Sequence, residues 1–372
     1  MLIILGIVCG PLLNLFPYSS LISAVPYVAP LTIAFISFEA GMSMDIYKVL
    51  EHSRRAVSLS LIGFLLSMTA VGSLLHFALG IRWAYALLLA SAWSGVNIAI
   101  VSSVLKYIKV REETHATLSM IALVDDPLVL VTTLMILRYI LLGGLDLREI
   151  SSTLISNVSS SVVLGALSGV AWLNILYLFR RGEYTYTFTL AATLFVYSVT
   201  ETIGGTGGIA VFFFGLMLSN YDSIVSNLKL NISVDEISIL EKSIRGFHSE
   251  LTFMLRSFFF TFIGLLYLFT GFHEVIIGLA CSLLLHITKF VGAKIGTLKS
   301  PMAADVPIIG GIVGQGAASA AMSTLPIAYN LPNATVFTSI ALNVILFNNI
   351  GSVAIPFLIA KLFYKTPLNR GK

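Results

Sequence analysis

Charge is scarce in this sequence. Only 11% of its 372 residues are Asp, Glu, Lys or Arg, whereas 57% are hydrophobic. Charged residues make up about a quarter of an ordinary soluble domain, so this composition excludes a typical water-soluble globular fold. Apolar residues at such a density indicate a chain that crosses a lipid bilayer many times, with the bilayer as its solvent.

Cysteine and histidine are also scarce, and their positions exclude two kinds of site. The two cysteines, Cys9 and Cys281, both fall in apolar segments, so we expect small buried thiols and no disulfide. His76, His273 and His286 are scattered singly and show no metal-ligand spacing. We therefore expect no resident metal and no cofactor.

The net charge of +4 does not indicate a nucleic-acid-binding protein, because the basic residues lie in short loops between apolar runs. Seventeen of the 22 lysine and arginine residues fall on one side of the predicted membrane, three on the other side and two within spans. Cytoplasmic loops carry the excess of basic residues. The bias predicts a multi-pass cell-membrane protein with both termini in the cytoplasm.

Twelve apolar runs, separated by charge, Pro and Gly, predict an all-α fold of about 12 transmembrane helices. Their approximate limits are 2–16, 27–47, 56–79, 83–105, 115–142, 152–180, 184–202, 205–225, 249–271, 273–298, 302–329 and 333–363. The first run lacks a charged n-region and a cleavage site, so we expect a retained helix. The loop from Ser226 to His248 alternates charged and apolar residues and predicts an amphipathic helix on the cytoplasmic surface. No soluble regulatory domain is expected.

Two adjacent carboxylates, Asp125 and Asp126, lie in the middle of the apolar run from about Ala116 to Leu137. A carboxylate at bilayer depth is costly and marks an ion pathway or a proton relay. Neighbouring carboxylates cannot both ionise freely, so they titrate as a unit. Such a pair holds protons or a cation, but not both in full. This competition predicts exchange of a cation for protons.

Stretches that contain glycine interrupt two of the predicted spans near their middles. The first contains Ser94, Gly95, Val96 and Asn97, and the second contains Gly314 and Gln315. Glycine weakens a helix, and the backbone groups that it frees can line an ion site. Small residues that allow tight helix packing are the alternative explanation.

The spacing of these interruptions suggests an internal repeat. Asp125 follows Gly95 by 30 residues, and Asn343 follows Gly314 by 29 residues. We therefore expect Asn343, with Asn348 and Asn349 further along, to occupy the place in the second half that the aspartates occupy in the first.

Three more charged residues lie in apolar runs. Lys289 either extends to the membrane interface or pairs with one of the two aspartates. Glu39 is a candidate for a proton path or a subunit contact. Arg256 could pair with an acid, but we favour a position near the cytoplasmic interface.

Several segments together resemble a known superfamily. Ala122–Asp126 resembles the double-aspartate motif of the electrogenic bacterial sodium/proton antiporters, and Lys289 followed by Gly292 resembles their lysine helix. Segments that resemble archaeal sodium/proton exchangers are Phe38–Met42, Glu201–Leu218, Arg256–Leu265 and Val313–Ala321. Their order and spacing resemble the cation:proton antiporter superfamily along nearly the whole chain.

The resemblance implies an inverted-repeat antiporter fold with two unwound crossing helices. It implies a transport core of spans at about 56–142 and 273–363, and a scaffold at about 1–50 and 152–271 that forms a homodimer. Asp126 would bind the transported Na⁺, and Asp125 would pair with Lys289 and exchange a proton, which favours electrogenic exchange. Ile121 and Gln315 stand where the electroneutral exchangers carry a glutamate and an arginine.

Other functions stay open at this point. K⁺/H⁺ exchange is the nearest alternative, and Li⁺ is a further candidate ion. A sodium-coupled organic anion carrier would need a larger cavity, and a membrane sensor would need an output domain. An intramembrane aspartyl protease needs its two acids on different helices, whereas adjacent aspartates on one helix point about 100° apart. We therefore expect a transporter and not an enzyme.

Overall fold

The computed structural model describes residues 2–45, 54–108, 110–143, 147–178, 185–227, 234–269, 271–298 and 300–363, and all regular secondary structure in these ranges is helical. The helices are α1 (Leu2–Ile7, continued by a π-helical turn, Val8–Leu12), α2 (Tyr18–Ser43), α3 (Arg54–Leu79), α4 (Trp83–Trp93), α5 (Ile98–Leu105), α6 (Glu112–Leu141), α7 (Leu147–Leu178), α8 (Thr185–Thr202), α9 (Gly207–Ser219), α10 (Tyr221–Asn227), α11 (Val234–Leu265), α12 (Phe272–Gly296), α13 (Val306–Gly311), α14 (Ala317–Met322), α15 (Leu325–Ala328) and α16 (Ala334–Phe363). The predicted all-α fold is confirmed.

Seven of the described helices are long and apolar enough to cross a membrane, or eight if the bent pair α9 and α10 counts as one span. This number is smaller than the predicted twelve, which stays a prediction. Part of the difference arises because helices α13 to α15, within one predicted span, are each only four to six residues long. One of the seven, Trp83–Leu105, consists of α4 and α5 together.

The chain forms two compact units. The first contains Met1–Pro26, Val49–Thr133 and Phe260–Lys372, and the second contains Tyr27–Lys48 and Leu134–Phe259. Both aspartates and both interrupted helices belong to the first unit. In that unit, apolar side chains of α5, α6, α13 and α16 form a buried core around Val101, Leu118 and Ile308.

The two glycine-rich stretches are breaks between helices, as the sequence predicts. Helix α4 ends at Trp93 and α5 begins at Ile98. Asn97 caps α5, because its side-chain oxygen accepts the backbone N–H of Ala99 at 3.0 Å. The second break separates Gly311, the end of α13, from Ala317, the start of α14.

Helices α3 and α12 pack closely beside the first break. A Cβ atom at Gly292 would lie 3.1 Å from the Cα of Gly63. Only glycine leaves room for so short a distance between two helix backbones. This close packing brings Lys289 of α12 against α3.

The segment 226–248, predicted as a separate amphipathic helix, is helical from Val234 but is not separate from the next span. From Val234 onward this segment is the first part of α11, a single helix that continues to Leu265. Residues 228–233 lie outside the described residues. Helix-forming residues such as Glu, Lys and Leu favour one continuous helix, which includes Gly246.

Candidate ion-binding site

Asp125 on α6 is fully buried and accepts three hydrogen bonds. Lys289 Nζ on α12 lies 2.8 Å from Asp125 Oδ2, and the backbone N–H of Val96 donates to the same oxygen at 3.0 Å. The hydroxyl of Ser60 on α3 donates to the other oxygen, Oδ1. A buried charge is tolerated when it is paired and hydrogen-bonded. These three donors explain how a carboxylate is held here.

Two of the three donors are available because of local features of the backbone. Val96 lies in the first break, so its N–H is not used within a helix. A Cβ at Gly63 would lie 3.3 Å from Lys289 Cδ, so the glycine leaves space for the lysine stem. Lys289 is only 8% exposed, which places its ammonium group inside the unit and not at the membrane interface. Of the two positions considered for Lys289, the internal ion pair is the one present.

Asp126 differs from its neighbour in both orientation and burial. It is half-buried, and the Asn97 side chain donates to it, with 3.2 Å between Asn97 Nδ2 and Asp126 Oδ2. Adjacent residues on a helix point about 100° apart, so the two carboxylates meet different surroundings. Asp125 meets Lys289, whereas Asp126 meets the residue that caps α5.

The second break supplies polar groups to the first. The backbone N–H of Asn97 donates to the carbonyl of Gly314 at 2.9 Å. The side chain of Gln315 donates to the carbonyl of Trp93 at 2.6 Å, where α4 ends. A Cβ at Gly316 would overlap the Asn97 amide, so only glycine allows this approach. Backbone groups freed in one break are therefore satisfied by the other.

Two residues on α16 accept hydrogen bonds from the backbone of the second break. Asn349 Oδ1 accepts the backbone N–H of Gln315 at 2.7 Å, and the Ser352 hydroxyl accepts that of Val313 at 2.9 Å. Asn349 was expected only together with Asn343 and Asn348, and the roles of Ser352 and Ser60 were not predicted from the sequence. Small hydroxyl residues in an apolar helix carry no signal of their own, because the same residues also serve in helix packing.

Asn343 does not hold the break in the way that its spacing suggests. Its side chain lies against Gly278 of α12, donates to the Ser339 carbonyl at 3.0 Å and faces the Tyr267 hydroxyl at 3.4 Å. The short helix α15 lengthens the connection between the second break and α16. Equal spacing along the chain therefore does not give equal position, and Asn349 rather than Asn343 bonds to the break.

In the second unit, Arg256 pairs with an acid, which is the alternative that was not favoured from the sequence. Arg256 forms an ion pair with Glu39, and both side chains are about two thirds or more buried. Glu201 forms another pair with Arg138 and accepts the backbone N–H of Gly207 at 2.8 Å. A charge in an apolar run usually pairs inside the protein, and both pairs follow that rule.

The space at the buried ion pair is small. A cavity of about 20 Å³ lies beside Lys289 and is lined also by Gly63, Val96 and Ile121. This volume holds about one water molecule, so the surroundings of the lysine are closely packed. Among the described residues, no group of three or more His, Cys, Asp or Glu could hold a metal ion.

Comparisons with known proteins agree with this architecture. Residues 1–361 match the family model described as sodium/hydrogen exchanger, transmembrane. The structure of the sodium proton antiporter MjNhaP1 from Methanocaldococcus jannaschii at pH 8 matches with a TM-score of 0.77 and 19% identity, over 96% of this chain and 89% of that one. The similarity of the two structures extends over nearly all of both chains, which shows the fold.

Two curated relatives match over shorter ranges. Na⁺/H⁺ antiporter 1 of M. jannaschii is 24% identical over 71% of this chain and 61% of its own length. K⁺/H⁺ antiporter NhaP2 of Shewanella sp. strain MR-4 is 24% identical over 52% of this chain and 34% of its own length. The chain thus matches less than two thirds of the length of either relative. The family model, which covers nearly every residue, shows that this chain belongs to the sodium/hydrogen exchanger family.

Proposed function

We propose that this protein is a secondary antiporter that exchanges Na⁺ for protons across a membrane. The observation that carries the proposal is the half-buried carboxylate of Asp126, placed beside two broken helices that are bonded to each other. Broken helices in the membrane supply the freed backbone groups that coordinate ions in transporters. A carboxylate at the same place adds the negative charge that attracts a cation.

The exchange cycle follows from competition for this carboxylate. When the proton concentration is low, Asp126 is ionised and binds the cation. Protonation removes its charge and releases the cation. Movement of the transport core then changes the side of the membrane to which the site opens. Asp126 can hold either the cation or the proton fully, but not both at once. The gradient of one ion therefore drives the transport of the other.

The ion pair between Asp125 and Lys289 gives the cycle a second proton site. If cation binding opens the pair and the open pair releases a proton, and if the pair closes when that proton is returned, two protons move for each Na⁺, one from Asp126 and one from the pair. Exchange is then electrogenic. The 2.8 Å contact and the burial of both groups support this part of the proposal, because a buried pair responds strongly to a new charge nearby.

The finer assignments belong to the same proposal. The transport core consists of spans at about 56–142 and 273–363, and the scaffold consists of spans at about 1–50 and 152–271. The protein works as a homodimer in the cell membrane, with both termini in the cytoplasm. Na⁺ and H⁺ are its transported ions, and no cofactor takes part in the cycle.

Exchange of K⁺ for protons is the second candidate. The NhaP2 relatives, which are named K⁺/H⁺ antiporters, favour it. The contacts around Asp126 do not distinguish ions by size. The test must therefore compare the two ions directly.

The decisive experiment uses proteoliposomes with a pH-sensitive dye inside, to which Na⁺, K⁺ or Li⁺ is added in turn. We expect a Na⁺-triggered pH change in the wild-type protein and none in Asp126→Asn. Asp222→Asn is the matched control, because Asp222 is exposed and lies in the second unit, on α10. Normal exchange by folded Asp126→Asn would contradict the assignment of Asp126, and exchange with K⁺ alone would favour the second candidate.

A potassium and valinomycin clamp separates the electrogenic form from the electroneutral one. We expect the rate of Na⁺-triggered pH change to depend on membrane potential. A rate that does not change with potential would keep the antiporter and remove the second proton site from the proposal.

A further inference from the structure

Gln315, in the second break, holds a buried amide in a fixed orientation. The residue is 1% exposed. Its Nε2 atom lies 2.6 Å from the carbonyl oxygen of Trp93. A backbone carbonyl can only accept a hydrogen bond, so the amide nitrogen and not the amide oxygen must face Trp93. The usual ambiguity between the two ends of a glutamine side chain is therefore removed.

The other end of this amide lacks a partner. Within the part of the chain that the structure describes, no donor reaches Gln315 Oε1, although the atom is buried. A buried carbonyl oxygen without a hydrogen bond is costly, so such an atom calls for an explanation. A desolvated monovalent cation would satisfy it, because carbonyl oxygens replace the water shell of such ions in membrane proteins.

The position of Gln315 matches this role. The preceding residue, Gly314, accepts the backbone N–H of Asn97 at 2.9 Å. The Asn97 side chain in turn contacts Asp126 at 3.2 Å. Gln315 and Asp126 thus belong to one junction, where the second break meets the first. The two side chains come from different halves of the chain.

We propose that Gln315 Oε1 is a neutral ligand of the transported cation at this junction. The inference rests on the proposed function and adds a ligand from the second broken helix to the carboxylate of the first. An amide oxygen attracts a cation but does not take up a proton in the physiological pH range. The carboxylate therefore carries the competition with protons, whereas Gln315 contributes affinity that does not vary with pH.

Two substitutions separate a ligand role from a structural one. Gln315→Leu removes both the oxygen and the bond to Trp93. Gln315→Glu keeps an oxygen for the cation and loses the amide donor to Trp93. The matched control is Asn220→Leu, because Asn220 is another buried amide that lies in the second unit, away from the junction, and its Nδ2 atom donates to the Met44 carbonyl at 3.0 Å.

The measurements are the Na⁺ concentration for half-maximal exchange and the Na⁺ concentration for half-maximal thermal stabilisation of the purified protein. We expect Gln315→Leu to raise both by about tenfold, which is equivalent to about 1.4 kcal/mol, and by the same factor at each pH at which the wild type works. Gln315→Glu should keep or lower both concentrations. Asn220→Leu should leave both unchanged.

Three results would overturn the inference. Wild-type concentrations in Gln315→Leu would show that Oε1 is not a ligand. Equal increases in Gln315→Leu and Gln315→Glu would assign the effect to the bond with Trp93. Failure of the wild type to bind or exchange Na⁺, K⁺ or Li⁺ would overturn the proposed function itself. If the leucine variant does not fold, Gln315→Asn takes its place, because it draws the oxygen back by one methylene and should raise both concentrations in the same way.

Discussion

Removal of the lysine charge from the buried pair gives the sharpest test of the site. Lys289→Met keeps most of the side-chain volume and deletes the charge. Asp125 then loses its ion-pair partner but keeps the Ser60 hydroxyl and the Val96 N–H. We expect a folded protein of lower stability, because an uncompensated buried carboxylate is left behind.

The size of the loss follows from the geometry of the pair. Two unit charges 2.8 Å apart attract by about 6 kcal/mol at an effective dielectric constant of about 20. The two remaining donors offset part of this loss. Removal of one member of a buried pair costs about 3–5 kcal/mol in other proteins, and we expect a value near the lower end here.

Equilibrium unfolding in mixed detergent micelles measures this loss. Asp125→Asn supplies the other single variant, and the double variant completes the cycle. The double variant should be more stable than the sum of the two single losses predicts, by about 2–3 kcal/mol, because it leaves neither charge unpaired. Additive losses, or a Lys289→Met protein as stable as the wild type at high pH, would refute the reasoning from the buried pair.

Two further predictions concern the rest of the molecule. Asn97→Ala removes the cap of α5, so the free energy of unfolding should fall by about 1 kcal/mol. The half-maximal Na⁺ concentration in the exchange assay should rise, because the contact of Asn97 with the Asp126 carboxylate is lost. An unchanged Na⁺ dependence would contradict this second effect. Glu39→Gln leaves Arg256 without its charged partner, so thermal unfolding in detergent should occur at a lower temperature. The half-maximal Na⁺ concentration should stay the same. A changed Na⁺ dependence would place the pair of Glu39 and Arg256 on the ion path.

The helices and the pairing of Asp125 were predictable because each signal is local in the sequence. Long apolar runs must form helices in a bilayer, since no water is available to bond a bare backbone. Asp125 and Lys289 stand out for the same reason, because each is a charge that an apolar span cannot hold alone. The sequence could therefore predict that they meet, and the 2.8 Å contact is present.

The partners of the second break were harder to predict, because they depend on how far each neighbouring helix extends and on how it is rotated about its axis. Asn343 and Asn349 both lie on α16, and only the length of the connection decides which one reaches Gln315. The pair of Arg256 with Glu39 joins residues more than 200 positions apart, with no spacing rule between them. Such contacts follow from how helices are placed next to one another, which a pattern along one helix does not contain.

The different surroundings of the two aspartates limit which of them meets an entering ion first. Asp125 is 0% exposed, and its three donors come from three different elements. A cation could reach it only by displacing the lysine or by breaking one of these bonds. Asp126 is half-buried and contacts Asn97, the residue that caps α5. In the proposed cycle we therefore expect the cation to meet Asp126 first and its charge then to act on the pair between Asp125 and Lys289 from one residue away.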